Sequence, residues 1–291
     1  DVTSQKAAAR GIRVTGSELV GLIPLQAMLD AGKYFLRKQK RSTGISEKEL
    51  IKIAVRSMGL DDLKPFDPKE KIIEYMISDE NDGQLIDMDL SAFADETASE
   101  SPAPGGGSIS AYVGSLGVSL GTMVANLSSH KRGWDDKWEG YSDWAEKGQA
   151  LKDELLFLVD EDTRAFNRIM EGFGLPKSTD EEKAARHQAI QEASKYAMQI
   201  PFRVMERSLE SMEVMQAMAE NGLEASVSDA GVGALCARTA VMGAFLNVKI
   251  NAEGVDDKEF VNDLLSRGAE IEKQALAKEK EILDIVNNKI K

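Results

Sequence analysis

Residues 141–171 read YSDWAEKGQALKDELLFLVDEDTRAFNRIME. Leu151, Leu155, Leu158, Ala165 and Ile169 recur there at helical spacing and share one stripe of a long helix. Position 162 belongs to the same stripe, and it is an aspartate. A carboxylate on a packing face must be hydrogen-bonded there, or it is driven toward its protonated form. A structural Asp162 that bonds a neighbouring helix and a chemically active Asp162 both fit this pattern. Asp160 and Glu161 are expected on more polar faces of the helix.

Working outward, the neighbours of this helix also read as helices. Ser101 to Ser129 contains no charged residue, and Ser108–Leu127 is rich in Ser and Gly. Its length suits a bilayer but its hydropathy is modest, so a buried helix is the better reading. Gly114, Gly117 and Gly121 would let other helices approach it closely. The loop SPAPGGGS precedes it, and a helix over about Leu90–Ser99 precedes the loop. A polar turn with His130, Lys131 and Arg132 follows. Ser178 or Thr179 caps the next helix, and Pro201 is expected to restart it. Asn221-Gly222 closes that helix. Ser226 or Ser228 caps another that runs to about Asn251. A last amphipathic helix covers about Asp257–Lys289.

Upstream, the helix pattern starts at Pro24 and runs to Lys40. Ser46 and Glu49 form a capping-box pattern for a helix that Gly59 ends. Asp67-Pro68 opens a helix expected to continue through EKIIEYMI. SDENDGQLID, residues 78–87, reads as a linker, which puts a domain boundary at about residue 86. The fold class expected is all-α: an up-and-down bundle of six or seven helices over residues 87–291, preceded by a short helical unit over 1–86.

Composition narrows the function. The net charge of −13 disfavours nucleic acid as a partner. One cysteine, Cys236, permits no intrachain disulfide, and with only two histidines a structural metal site is not expected. The chain begins at Asp1 and not at a methionine, so it reads as a piece of a longer one. Cys236 is expected to be simply buried, and His130 and His187 to lie at the surface.

Other residues could carry chemistry. Gly105, Gly106 and Gly107, between Pro104 and Ser108, expose backbone N–H groups at a helix start and suit an anionic or polar ligand edge. The same residues also fit a plain turn. The pattern is neither a dinucleotide fingerprint nor a P-loop. Lys131-Arg132 could clamp an anion or be a solvated helix end. Ser228-Asp229 opens a helix whose small, polar face carries Gly233, Cys236, Ala240, Gly243 and Asn247. Such a face either packs tightly or lines a cavity. Asp229 and Asn247 are about 27 Å apart along the axis, so they serve opposite ends of a long ligand or two sites.

These segments resemble a known family. RVTGSELVGLIPLQAMLDA (13–31) and GLDDLKPFDPKEKIIEY (59–75) look like the end of a glutamate formiminotransferase domain. DLSAFADETASESPAPGGGS (89–108), LVDEDTRAF (158–166), SVSDAGVGA (226–234) and GAFLNVKIN (243–251) resemble the cyclodeaminase domain of formiminotransferase-cyclodeaminases. The resemblance implies that Asp162 is the catalytic carboxylate. It implies a folate site at Pro104, Gly105, Gly106, Gly107 and Ser108, with Lys131, Arg132, Ser228, Asp229 and Asn247 as further binding residues; Asn251 belongs to the same motif. It also implies a cytoplasmic, metal-free ammonia-lyase of one-carbon metabolism and histidine degradation. The expected partner is reduced folate, with or without a polyglutamate tail, tetrahydrofolate being the carrier. A homodimer or higher homo-oligomer is expected, with no nucleic acid and no membrane. Neither His130 nor His187 matches the family's transferase histidine, so no transferase activity is expected. The same scaffold would also suit a methenyltetrahydrofolate cyclohydrolase, or a non-catalytic helical dimerisation module.

Overall fold

The structure is a computed structural model and describes residues 2–77 and 84–290. Among these, the only β pairing is an isolated parallel bridge between Ile23 and Ile72. Everything else regular is helical. The first unit holds α1 (Val2–Ala8), α2 (Leu25–Lys38), α3 (Glu47–Met58), α4 (Pro68–Lys71) and α5 (Ile73–Ile77). Met28, Ile51, Ala54, Val55 and Ile72 form its small core.

Two local expectations fail in this unit. Ser46 precedes α3 but makes no side-chain cap bond. Glu49, its expected partner, is held by Lys52 at 3.1 Å. The helix from Pro68 also breaks at Ile72. That residue turns to extended geometry to pair with Ile23 and bury its side chain, which outweighs one turn of helix. The expected linker lies largely outside the described residues.

The second unit holds α6 (Leu90–Thr97), α7 (Gly106–Ser129), α8 (Trp138–Gly174), α9 (Asp180–Asn221), α10 (Val227–Asn251) and α11 (Lys258–Lys289). This is the expected all-α bundle. Central α7 packs on α8, α9 and α10, while α11 covers α9 and α10. Among the described residues two helices, 106–129 and 224–254, are long and apolar enough to span a bilayer, and 61% and 50% of their most apolar stretches are buried within this bundle.

Small residues let α7 sit at the centre. A Cβ on Gly117 would lie 2.9 Å from both the Gly233 carbonyl and the Cys236 Cβ. The small face of α10 is therefore a close-packing surface, and Cys236 is half-buried in it. Around these helices the core is aliphatic and thioether. Met198, Met205, Met212, Met215 and Met218 of α9 are buried with Leu155 and Leu158 of α8. Flexible Met side chains fill the irregular space that a glycine-rich helix leaves.

Pro201 does not restart a helix, because α9 runs unbroken from Asp180 to Asn221. A proline removes the N–H that would bond the carbonyl four residues back, here Ala197. Asn251 of α10 donates its Nδ2 to that carbonyl at 2.7 Å. A tertiary contact thus replaces the missing backbone bond. Asn251→Ala is expected to lower the stability by about 1–3 kcal/mol, the cost of orphaning a buried acceptor. Chemical denaturation would check this, and an unchanged midpoint would remove the account.

The first unit docks on the bundle through a short loop in which Ser42, Thr43 and Gly44 are buried. The Gly44 carbonyl accepts from Asn126 Nδ2 at 2.8 Å and Gln149 Nε2 at 3.2 Å. Thr43 N donates to Ser142 Oγ, and Thr43 Oγ1 donates to Glu146. Burial pushes the Glu146 carboxyl up, but Lys33, Thr43 and Arg37 together hold it below the ordinary range.

Candidate active site

The site is assembled where the start of α7 meets the middle of α8. Gly105 is the N-cap of α7 and offers no side chain, so the first-turn N–H groups depend on other partners. Asp162 of α8 supplies one. Its Oδ2 accepts from Ser108 N at 2.9 Å and from Ser108 Oγ at 3.2 Å. The Ser108 hydroxyl is also 2.9 Å from the Val159 carbonyl.

Gly107 makes this approach possible. A Cβ there would lie 2.5 Å from Asp162 Cγ, inside the carboxyl group. α7 begins two residues earlier than expected, at Gly106, and the glycines form its first turn. On α10, Asn247 Nδ2 donates to the Gly243 carbonyl at 3.0 Å. It lies 3.1 Å from where a Cβ on Gly106 would be. One place therefore holds Gly106, Gly107, Ser108, Asp162 and Asn247, with Pro104 and Gly105 leading into it.

Electrostatics at Asp162 is a contest. Burial favours the neutral acid, while the two Ser108 hydrogen bonds favour the carboxylate. Burial wins, and the carboxyl is held above its ordinary range. A carboxyl so placed can serve as an acid and as a base in turn.

Lys131, Arg132, Ser228 and Asp229 are elsewhere. α7 and α10 run antiparallel: Gly106 lies beside Asn247, Gly114 beside Ala240 and Gly117 beside Gly233. Lys131 follows the C-terminal end of α7, roughly 35 Å from Ser108 by helical rise. Ser228 and Asp229, at the start of α10, lie toward that same far end. Within one chain the basic pair therefore does not reach the glycine loop. Lys131 instead covers Trp134, its Nζ 4.1 Å from the ring centroid.

Asp160 and Glu161 are a second correction, since both are buried. Asp160 Oδ1 accepts from Leu85 N at 2.6 Å, which ties the segment before α6 to α8. Burial raises the Asp160 carboxyl above its usual range. Glu161 accepts from Tyr196 Oη at 2.5 Å and pairs with Arg164 and Arg168 at 3.2 and 3.4 Å. Three successive carboxyl groups thus have three different partners and fix the rotation of α8. Helical periodicity placed Asp160 and Glu161 outside the stripe. Their partners are Leu85, 75 positions away, and Tyr196, 35 positions away.

His187 is exposed, as expected, 3.0 Å from Asp256. His130 is also exposed, as expected, and its Nε2 accepts from Ser42 N at 3.2 Å. Burial, then the charge of Arg41, hold it below its ordinary pKa, which suits an acceptor that must stay neutral.

Comparison with known proteins places the chain in a family. Residues 89–270 match the formiminotransferase-cyclodeaminase family model, and residues 1–78 match the formiminotransferase domain. The chain is 38% identical over 275 residues to formimidoyltransferase-cyclodeaminase of Gallus gallus, covering 93% of this chain and 51% of that protein. It therefore spans about half the length of the curated bifunctional relatives it matches. It is also 36% identical over 201 residues to methenyltetrahydrofolate cyclohydrolase of Methylorubrum extorquens, covering 69% of this chain and 97% of that protein. The crystal structure of formiminotetrahydrofolate cyclodeaminase from Thermotoga maritima superposes with a TM-score of 0.63. At 24% identity, over 70% of this chain and 98% of that one, this likeness shows the shared fold. The chain belongs to the formiminotransferase-cyclodeaminase family.

Proposed function

We propose that the chain is a formimidoyltetrahydrofolate cyclodeaminase, converting 5-formiminotetrahydrofolate to 5,10-methenyltetrahydrofolate and ammonia. The observation that carries this reading is the half-buried Asp162, its carboxyl held above the ordinary range, against the glycine-rich start of α7. The substrate brings its own nucleophile, so the protein needs only to orient it and move protons. Neutral Asp162 protonates the formimino nitrogen. N10 attacks the formimino carbon, and the Asp162 carboxylate takes the N10 proton. The same acid then protonates the nitrogen of the tetrahedral intermediate, and ammonia leaves as the methenyl cation forms. One carboxyl group performs each transfer in turn, which suits a group tuned between acid and base. Holding the formimino arm over N10 supplies the orientation that free solution lacks. Asn247 and the Gly106–Ser108 turn border the place where the reacting end would lie.

In this reading residues 1–86 are the end of a transferase domain with its linker, and residues 87–291 form the cyclodeaminase domain. The enzyme is cytoplasmic, takes reduced folate with or without a polyglutamate tail, and serves histidine degradation and one-carbon metabolism. It needs no metal. It self-associates through α7 and α10. Support for this comes from large apolar side chains left exposed on those helices: Leu116, Met123 and Leu127 on one, Val232, Leu246 and Ile250 on the other. An antiparallel second copy on this face would carry its Lys131 and Arg132 toward the glycine loop of the first. A monomer in sedimentation at micromolar concentration would remove that part of the reading.

The test of the activity is direct. Mixing the protein with 5-formiminotetrahydrofolate should produce the methenyl absorbance with one ammonia per turnover. The likeness to the Methylorubrum extorquens protein, nearly all of which the chain covers, favours a second reading as a methenyltetrahydrofolate cyclohydrolase. Water-dependent opening of the methenyl ring faster than ammonia release would select it.

A further inference from the structure

Ser108 is fully buried and meets Asp162 with two donors. Its N–H is fixed by the first turn of α7. Its hydroxyl is not fixed, because it sits 2.9 Å from the Val159 carbonyl and 3.2 Å from Asp162 Oδ2. A hydroxyl has one proton to give and two lone pairs to receive with. It can therefore donate to only one of these oxygens at a time.

The two choices correspond to the two protonation states of the carboxyl. When Asp162 is a carboxylate, the hydroxyl donates to Oδ2 and the N–H donates to the same atom. When Oδ1 carries the proton, Oδ2 is a weaker, uncharged acceptor that keeps only the Ser108 N–H, and the hydroxyl turns to donate to the Val159 carbonyl. No heavy atom has to move. Among the described residues nothing hydrogen-bonds Oδ1, so this oxygen is left for proton exchange with a ligand. The proton exchanged with the substrate therefore goes on and off at Oδ1, and the carboxyl, pinned at Oδ2 by the Ser108 N–H, does not have to rotate.

We propose that Ser108 is a positioning residue whose hydroxyl changes partner with the protonation state of Asp162, holding Oδ2 in both states and presenting Oδ1 to the substrate. This rests on reading Asp162 as the proton carrier. It assigns Ser108 to the carboxyl and not to the folate.

The test is Ser108→Ala, read in two ways. Loss of the hydroxyl removes a bond that favours the carboxylate, so Asp162 should hold its proton to higher pH. Infrared difference titration of the protonated carboxyl band, identified by its absence in Asp162→Asn, should show the midpoint moved upward. The pH profile of kcat should move in the same direction. At its optimum kcat should fall roughly tenfold with KM little changed, the effect of losing one hydrogen bond to a charged group. If Ser108→Ala does not fold, Ser108→Cys keeps the volume and weakens the bond, and the same shift should appear at smaller amplitude. A folded Ser108 variant with the wild-type infrared midpoint overturns the proposal. Turnover that survives in Asp162→Asn instead overturns the underlying reading, so the two failures are distinct.

Discussion

Asp162→Asn is expected to lower ammonia release by about a hundred- to ten-thousand-fold, the usual contribution of a positioned acid-base group. The amide keeps the shape and can still accept from Ser108 N, so the start of α7 stays in place. Stability should move the other way. A buried carboxyl whose pKa is raised on folding costs stability above its unfolded pKa, and that cost disappears as pH falls and the group takes up its proton. The asparagine never carries this cost. Near neutral pH the variant should therefore melt at the wild-type temperature or above it, while folate binding is retained. Stopped turnover in a protein at least as stable is the signature of a chemical role. Wild-type turnover in the variant would leave Asp162 as a helix-packing residue only.

Gly107→Ala should reduce turnover by about a hundredfold, the scale of loss when a reacting group is displaced by roughly an ångström. On propensity alone the change would stabilise a helical turn by about 1 kcal/mol. Here the added methyl falls inside the carboxyl of Asp162, 2.5 Å from its Cγ. The carboxyl must swing away from Ser108, or the start of α7 must lift off α8. Either movement costs about 1–3 kcal/mol of overpacking and reverses the propensity gain. Gly140→Ala in α8 is the control, because nothing lies within 4 Å of its added Cβ. It should keep wild-type activity and gain a little stability. Equal behaviour of the two variants would show that the glycine loop and Asp162 do not meet as described.

Much of this site could be read from local pattern. The vacancy in the apolar stripe of residues 151–169 singled out Asp162 because helical periodicity is a short-range property. The run of glycines before an uncharged segment marked the start of α7 for the same reason. Periodicity could say that the carboxyl faced a packed neighbour, but not which one. Two corrections came from such distances. Asp160 and Glu161 were expected on more polar faces because their partners, Leu85 and Tyr196, come from other elements. Pro201 looked like a helix start because its compensation, Asn251, is 50 residues later.

The helices, their approximate ends and the unusual place of Asp162 followed from residues within a few turns of one another, where propensity, capping and periodicity act. Tertiary structure alone decided that Gly107 and Asp162 interlock, that α7 and α10 are antiparallel, and that Lys131 and Arg132 stand at the far end from the glycine loop. Helix packing sets these relations through contacts between side chains far apart in sequence. A one-dimensional pattern carries the demand for such contacts but not the partner that meets it.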